Sequence, residues 1–322
     1  MKKSLLIGLI SIVGVAAVVG AFFLLADRGP IDYVKGFDAH NVHVSGDYAY
    51  VGTFSNKIAI IDISDPMQPG KPVYKSVSAF PYDTYKSGDY LYVACGTSGL
   101  AIIDVSDPTN PGSPNYVETT GTVISVTVNG NYAYFGTQTD GFCFVDISDP
   151  SNPGTEQGLS GGMPCYSIFI NDSTLFAACD NHYAKAIDIT NPESPGSTKN
   201  VYLANAHDVW IDGIYLYVAD LYNGLSIIDV SDINNPGTPV TTDDAEYSYD
   251  ITVDDDLAYL NAGTYGLYVY DVTDPTNPGT PKHMSVSENI RDLEIDGDYV
   301  YFAQQSKGLG IISKTDLMTL VS

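Results

Sequence analysis

The sequence predicts an all-β protein: a seven-bladed β-propeller of four-stranded antiparallel blades, its ring closed by an N-terminal strand and preceded by one N-terminal apolar helix. Three observations carry this prediction. Asp62, Asp104, Asp146, Asp188, Asp229 and Asp271 recur every 41 or 42 residues, and Ser313 falls one further step along. Around each marker the text nearly repeats, as in Ile60-Ile61-Asp62-Ile63-Ser64-Asp65-Pro66 and Ile102-Ile103-Asp104-Val105-Ser106-Asp107-Pro108, and six copies close on Pro-Gly, from Pro69-Gly70 to Pro278-Gly279. Within each copy, short apolar and aromatic segments alternate with Gly, Asn, Asp and Pro turns, and no helical period of 3.6 appears. A repeat of ~40–45 residues holding four strands is the unit of a propeller blade.

The first element stands outside the repeats. Met1-Lys2-Lys3 precedes an apolar run from Leu5 to Ala26, which approaches the ~20 residues needed to span a bilayer as a helix. The two lysines place the remainder outside the cytoplasm by the positive-inside rule. Residues 1–30 therefore read as a signal anchor or a signal peptide. Leu24-Leu25-Ala26-Asp27 lacks the small-x-small pattern of a cleavage site, which favours the anchor.

Residues 31–322 are the propeller. Ile31 to Phe37 reads as an orphan fourth strand. Repeats follow near 38–78, 79–120, 121–162, 163–203, 204–244, 245–287 and 288–322. The second copy shows the pattern: strands over Tyr82–Tyr85, Tyr90–Cys95 and Leu100–Val105, then a weaker one near Asn115–Thr119, separated by Ser87-Gly88-Asp89, Thr97-Ser98-Gly99 and the Asp-Pro to Pro-Gly loop. Gly permits positive φ, Pro fixes φ, and Asp bonds its own backbone, so each break is a turn with a mechanism. The last copy ends soon after its third strand, Leu309–Ser313. The N-terminal strand is thus expected to complete it and shut the ring.

Composition narrows function. The formal charge is −25, with 14 basic against 39 acidic residues. Such a surface repels phosphate backbones, since duplex binding rests on Lys and Arg displacing counterions; nucleic acid is not an expected partner. Contact with membrane is expected through the N-terminal segment only, and the chain is expected to be a monomer. The 25 Tyr against 11 Phe suit strands that end at a wet edge. Cys95, Cys143, Cys165 and Cys179 form no CxxC pair, and their spacing does not choose a disulfide.

The repeated Leu/Ile-x-Ile-Ile-Asp-Val-Ser-Asp-Pro text, preceded by Gly-Asp-Tyr-x-Tyr-Val-Ala, resembles the LVIVD repeat family, best at Leu100–Pro108 and Leu225–Asp232. The resemblance implies a β-propeller displayed on cell surfaces and brings no catalytic motif with it. The fourth copy departs at Asn181-His182-Tyr183, and the seventh has Ser313-Lys314 in place of Asp-Val.

Two rings of candidate site residues follow from the repeat. Twenty-one residues before each marker stand Asn41, Asp83, Ser125, Ser167, Asp208, Asp250 and Asp292. Asp83, Asp208, Asp250 and Asp292 suit Ca²⁺, a hard cation that takes oxygen ligands. Otherwise each Asp bonds the backbone of a neighbouring blade and no cofactor is needed. One residue earlier stand His40, Tyr82, Ile124, Tyr166, His207, Tyr249 and Arg291, a set that varies from blade to blade. His182, Tyr222, Asp180 and Tyr265 lie in nearby turns. A specific site would be written in such variation, and Tyr and His around an acidic funnel suit a sugar or peptide.

The paired aspartates of the Asp-x-Ser-Asp-Pro loops lack the Gly and terminal Glu of a helical calcium loop and read as Asx turns. Gly158 to Gly162 matches G-x-S-x-G without the strand-turn-helix context of a nucleophile elbow. The expected function is a non-enzymatic cell-surface binding or adhesion module presenting one face to a glycan or protein. The competing readings are an exported polysaccharide-acting enzyme using Asp208, His207 and Asp250, and a scaffold of an envelope complex.

Overall fold

Seven blades of four antiparallel strands follow one another along the chain in a computed structural model that describes residues 31–160, 163–179, 183–202, 205–245 and 247–321. Blade 1 comprises Ala39–Ser45, Tyr48–Thr53, Lys57–Asp62 and Val73–Ser76; blade 2 comprises Asp83–Ser87, Tyr90–Ala94, Leu100–Asp104 and Asn115–Val117. Blade 3 holds Val123–Asn129, Tyr132–Thr137, Phe142–Asp146 and Gln157–Ser160; blade 4 holds Cys165–Asn171, Thr174–Cys179, Tyr183–Asp188 and Lys199–Tyr202. Blade 5 is Ala206–Asp212, Tyr215–Asp220, Gly224–Asp229 and Val240–Thr241; blade 6 is Asp250–Asp254, Leu257–Asn261, Leu267–Asp271 and Lys282–Met284. Blade 7 pairs Asp292–Asp296, Tyr299–Ala303 and Leu309–Ser313 with the N-terminal strand Asp32–Val34. The first and last strands of the propeller thus share one sheet, and the first strands of all seven blades neighbour one another in an unbroken circle.

The burial pattern explains why the strands look as they do in the sequence. A blade is covered on both faces by its neighbours, so its middle strands are buried continuously rather than in alternation. Tyr90–Ala94 and Leu100–Asp104 are buried along nearly their whole length, whereas the outer strand Val73–Ser76 alternates half-buried with exposed. Hydrophobic clusters fill the gaps between blades; the one at the closing seam joins Val34, Phe37, Val42 and Ile61 to Tyr301, Leu309 and Ile311. One aromatic side chain of the second strand is buried in every blade: Tyr50, Tyr92, Tyr134, Phe176, Tyr217, Tyr259 and Tyr301.

The marker residues act as expected. Asp62 Oδ1 accepts from Ser64 N at 2.9 Å and Ser64 Oγ at 2.7 Å, and Gly70 N donates to Asp62 O at 2.7 Å. Asp104, Asp146, Asp188, Asp229 and Asp271 cap their own turns in the same way. These loops are Asx turns. The Gly158–Gly162 string begins within the outer strand of blade 3, with no helix behind it among the described residues.

Past the seventh marker the structure differs from the short tail expected. Lys314–Leu320 is an α-helix, the one α-helix among the described residues. Ser313 is its N-cap: its Oγ accepts from Asp316 N at 3.0 Å and donates to Asp316 Oδ2 at 2.7 Å. The marker position thus caps a helix start in this last copy, and Leu317 is buried. The apolar N-terminal helix expected over residues 1–30 lies outside the described residues, and no described helix is long and apolar enough to cross a membrane.

Candidate functional site

Each blade begins its first strand at the same end of the propeller, and that end carries a cavity of about 460 Å³. Both rings of residues counted back from the markers line it: Asn41, Asp83, Ser125, Ser167, Asp208, Asp250 and Asp292, with His40, Tyr82, Ile124, Tyr166, His207, Tyr249 and Arg291.

The carboxylates join the blades. Asp83 Oδ2 accepts from Val126 N at 2.8 Å, Asp208 Oδ2 from Ile251 N at 2.8 Å, Asp250 Oδ2 from Leu293 N at 2.9 Å, and Asp292 Oδ2 from Val42 N at 2.8 Å. In each case the amide belongs to the first strand of the next blade. Glu294 repeats the contact two residues on, accepting from Val44 N at 2.9 Å, and its Oε2 lies 3.3 Å from His43 Nδ1. Asn41 serves blade 1 differently, donating to Pro81 O at 3.2 Å and accepting from Gly52 N at 2.9 Å. Among the described residues, no three His, Cys, Asp or Glu side chains are grouped to hold a metal ion.

Crowding raises the acids. Burial pushes Asp83 up to about 6, against the N–H groups of Val126 and Thr84. Asp250 rises well above the carboxylate range, first through burial and then through the charges of Asp292 and Asp208, with a side-chain hydrogen bond to Asp208. Asp292 is raised likewise, by burial and by Asp83, Glu294 and Asp208. Taking charge out of water favours the protonated acid, and like charges add to the effect.

The varied ring owes its placement to a backbone device. In blades 1, 3, 4 and 5 the pairing of the first strand skips one residue, and the skipped residue is His40, Ile124, Tyr166 or His207. A bulge leaves its extra residue unpaired and re-aims the side chain. In blades 2, 6 and 7 the strand proper starts just after the ring residue, and Tyr82, Tyr249 and Arg291 donate their amides to the carbonyls of Ala94, Asn261 and Ala303.

The rings then pack on one another. Tyr166 stacks on His207 at 5.5 Å with planes 1° apart, and His207 meets Tyr249 edge-on at 5.2 Å. His207 Nδ1 donates to Tyr249 O at 2.6 Å; burial lowers its pKa, so the ring is the neutral tautomer that carries this proton. His40 packs against Phe80 at 4.6 Å and Phe54 at 5.4 Å, and burial together with Arg291 lowers it to about 4. Arg291 lies over Phe54 at 5.7 Å and, with the Gln305 amide turned so that its carbonyl faces the guanidinium, donates to that oxygen at 2.9 and 3.2 Å.

Not every candidate reaches the cavity. Tyr222 lies apart from its lining, in an exposed cluster where Tyr247 meets it at 6.2 Å and stacks on Tyr265 at 5.6 Å. His182 and Asp180 lie outside the described residues. Phe80, Tyr247 and Asn289 were missed, although they occupy one repeat position, two residues before the varied ring; extending the comparison that far back would have found them. Gln138 carries no such signal.

The LVIVD repeat matches residues 36–71, 85–119, 120–157, 204–242 and 289–313, together more than half of the chain. The chain belongs to the LVIVD repeat family. The matches fall on blades 1, 2, 3, 5 and 7 of this LVIVD protein, so blades 4 and 6 keep the fold with a more divergent text. No curated protein matches the sequence. Among solved structures it is similar to the β-propeller domain of Cps50 (Swd1) from Myceliophteria thermophila, at 12% identity and a TM-score of 0.71, covering 87% of this chain and 97% of that one. It is also similar to the computationally designed protein Ika8, at 8% identity and a TM-score of 0.63, covering 87% and 98%. At these identities the likeness is one of fold alone.

Proposed function

We propose that this LVIVD protein is a non-catalytic binding module outside the cytoplasm, held at the cell surface by its N-terminal segment and presenting the cavity end of the propeller to a glycan or a protein. One observation carries the reading. Nine large apolar side chains are exposed among the described residues, and six of them (Phe54, Tyr166, Tyr222, Tyr247, Tyr249 and Tyr265) lie in the loops and strand starts at the cavity end. Aromatic groups gathered at one face mark an interaction surface, and Tyr adds a hydrogen-bonding hydroxyl to a stacking ring.

The disulfide Cys165–Cys179 supports an oxidising location. Asp208 and Asp250 each give a carboxylate oxygen to a backbone amide of the next blade, a structural task that favours binding over sugar cleavage. The test is a glycan array probed with the full chain, with saccharide turnover followed on every hit. Retention without cleavage, lost in Tyr222→Ala and Tyr265→Ala, is the expected outcome. Hydrolysis abolished by Asp208→Ala would give the enzyme reading the advantage instead.

A further inference from the structure

We propose that the mouth of the channel takes an aliphatic ammonium group, seated among Asp208, Asp250 and Asp292 and against the rings of Tyr166, His207 and Tyr249. This deepens the binding reading above and rests on it.

Charge is the first argument. Four half-buried acids line the cavity; Asp208, Asp250 and Asp292 each commit one oxygen to a backbone amide of the next blade, and Asp83 commits both of its oxygens to amides. The one cationic side chain in the lining, Arg291, is held by Gln305 and lies over Phe54. His40 and His207 are neutral, because burial lowers both. An anionic ligand would hold these acids protonated and gain no counter-charge, and a neutral sugar would leave them as they are. A cation relieves them, and the rings of Tyr166, His207 and Tyr249, packed on one another in the same lining, supply aromatic surface for an ammonium.

A second observation is independent of the acids. Ser125 lines the same cavity at 3% exposure, and its Oγ has no hydrogen-bond partner. Asn289 Oδ1 and His40 Nδ1 are buried in the lining without partners as well. Buried polar atoms are ordinarily paired. A carbonyl oxygen, a hydroxyl oxygen and the bare nitrogen of a neutral imidazole can all accept, and an ammonium is a pure donor. The unsatisfied atoms and the charge therefore point to the same ligand chemistry.

The test is calorimetric titration of the full chain at pH 7 with four probes: Nα-acetyl-lysine amide, choline, calcium chloride and maltose. An ammonium probe is expected to bind with release of protons, read as a heat that changes with the ionisation enthalpy of the buffer. Binding of acetyl-lysine amide supports the proposal and identifies a peptide side chain as a source; binding of choline alone overturns it, because a quaternary nitrogen has no N–H to give the unpartnered acceptors. Asp250→Asn should weaken binding at least tenfold. Because that change also touches the Leu293 amide, Tyr249→Leu at the exposed rim is the second variant, expected to weaken binding about fivefold. Binding of calcium or maltose with neither ammonium overturns the proposal and leaves the wider reading standing. So does ammonium binding that both variants leave unchanged. If no probe binds and the glycan array is blank as well, both fall.

Discussion

A carboxylate at the cavity mouth serves two purposes that pull against each other. Asp83 satisfies the Val126 amide of the next blade, yet it does so while half-buried near His43 and Glu294. The direction of the resulting pH dependence follows from its raised pKa. Folding lifts Asp83 from 3.8 to about 6, so the native state holds the proton more tightly than the unfolded chain. Its contribution to stability is full below 3.8 and is lost as pH rises through about 6. Asp83→Asn keeps a carbonyl oxygen for the amide and cannot ionise. In urea denaturation the difference between variant and parent should move in the variant's favour by on the order of 2 kcal/mol from pH 4 to pH 7. A difference that does not change with pH would mean that the acid is not held protonated. The exposed marker aspartates act in the opposite sense: hydrogen bonds from the following Ser or Thr lower them, so their stabilisation is lost as pH falls through their depressed values.

At the scale of the strand, the closing one depends on a single glycine. A Cβ on Gly308, which has φ +83°, would come within 2.1 Å of Val34 O, in the strand that shuts the ring. Gly99, at φ +80°, makes the same approach to Val117 O at 2.2 Å, but there it bears only on the outer edge of blade 2. Backbone cannot yield to such a contact, so either alanine should cost ~2 kcal/mol or more. Gly308→Ala should lower the melting temperature further than Gly99→Ala and open the chain to proteolysis at Lys35. Equal shifts would show that closure contributes no more than any outer strand. Blade 4 has a different tie, the disulfide between the facing residues Cys165 and Cys179. For a loop of 14 residues, chain entropy gives ~3 kcal/mol as an upper figure. Reduction of the otherwise intact protein should lower the unfolding midpoint, and Cys165→Ser should make that midpoint indifferent to reductant. Strand positions of this kind were legible in the sequence because turn residues punctuate every repeat, as was the closing strand because blade 7 is one strand short. The disulfide was not, since the pairing depends on the bulge at Tyr166, which shifts register by one residue and brings Cys165 opposite Cys179. The cavity rings were found by counting from the markers, whereas the Ser313 helix start obeys local capping rather than the repeat.

For the molecule entire, the decisive fact is that the circle of first strands has no break and that its ends meet in one sheet. In an open array each repeat contacts only its neighbours, and terminal repeats can peel away at low cost. Closure removes the terminal positions: blade 1 packs on blade 7 through Val42, Ile61, Tyr301 and Leu309 as it would on any neighbour. Losing one blade then exposes two apolar faces at once, and the ring should unfold as a unit. Trp210, the one tryptophan of the chain, reports on this from the far side of the seam, packed on Phe169 at 4.7 Å between blades 4 and 5. Its fluorescence and the far-UV circular dichroism should follow a single coincident transition in denaturant, as two-state unfolding requires. Deleting residues 31–37 takes away the fourth strand of blade 7 and Phe37 of the seam cluster. The dichroism should then begin to fall at lower denaturant than the Trp210 signal, because blades 7 and 1 have become ends. Coincident and unshifted curves after that deletion would show that the sheet shared by the two ends does not hold the ring.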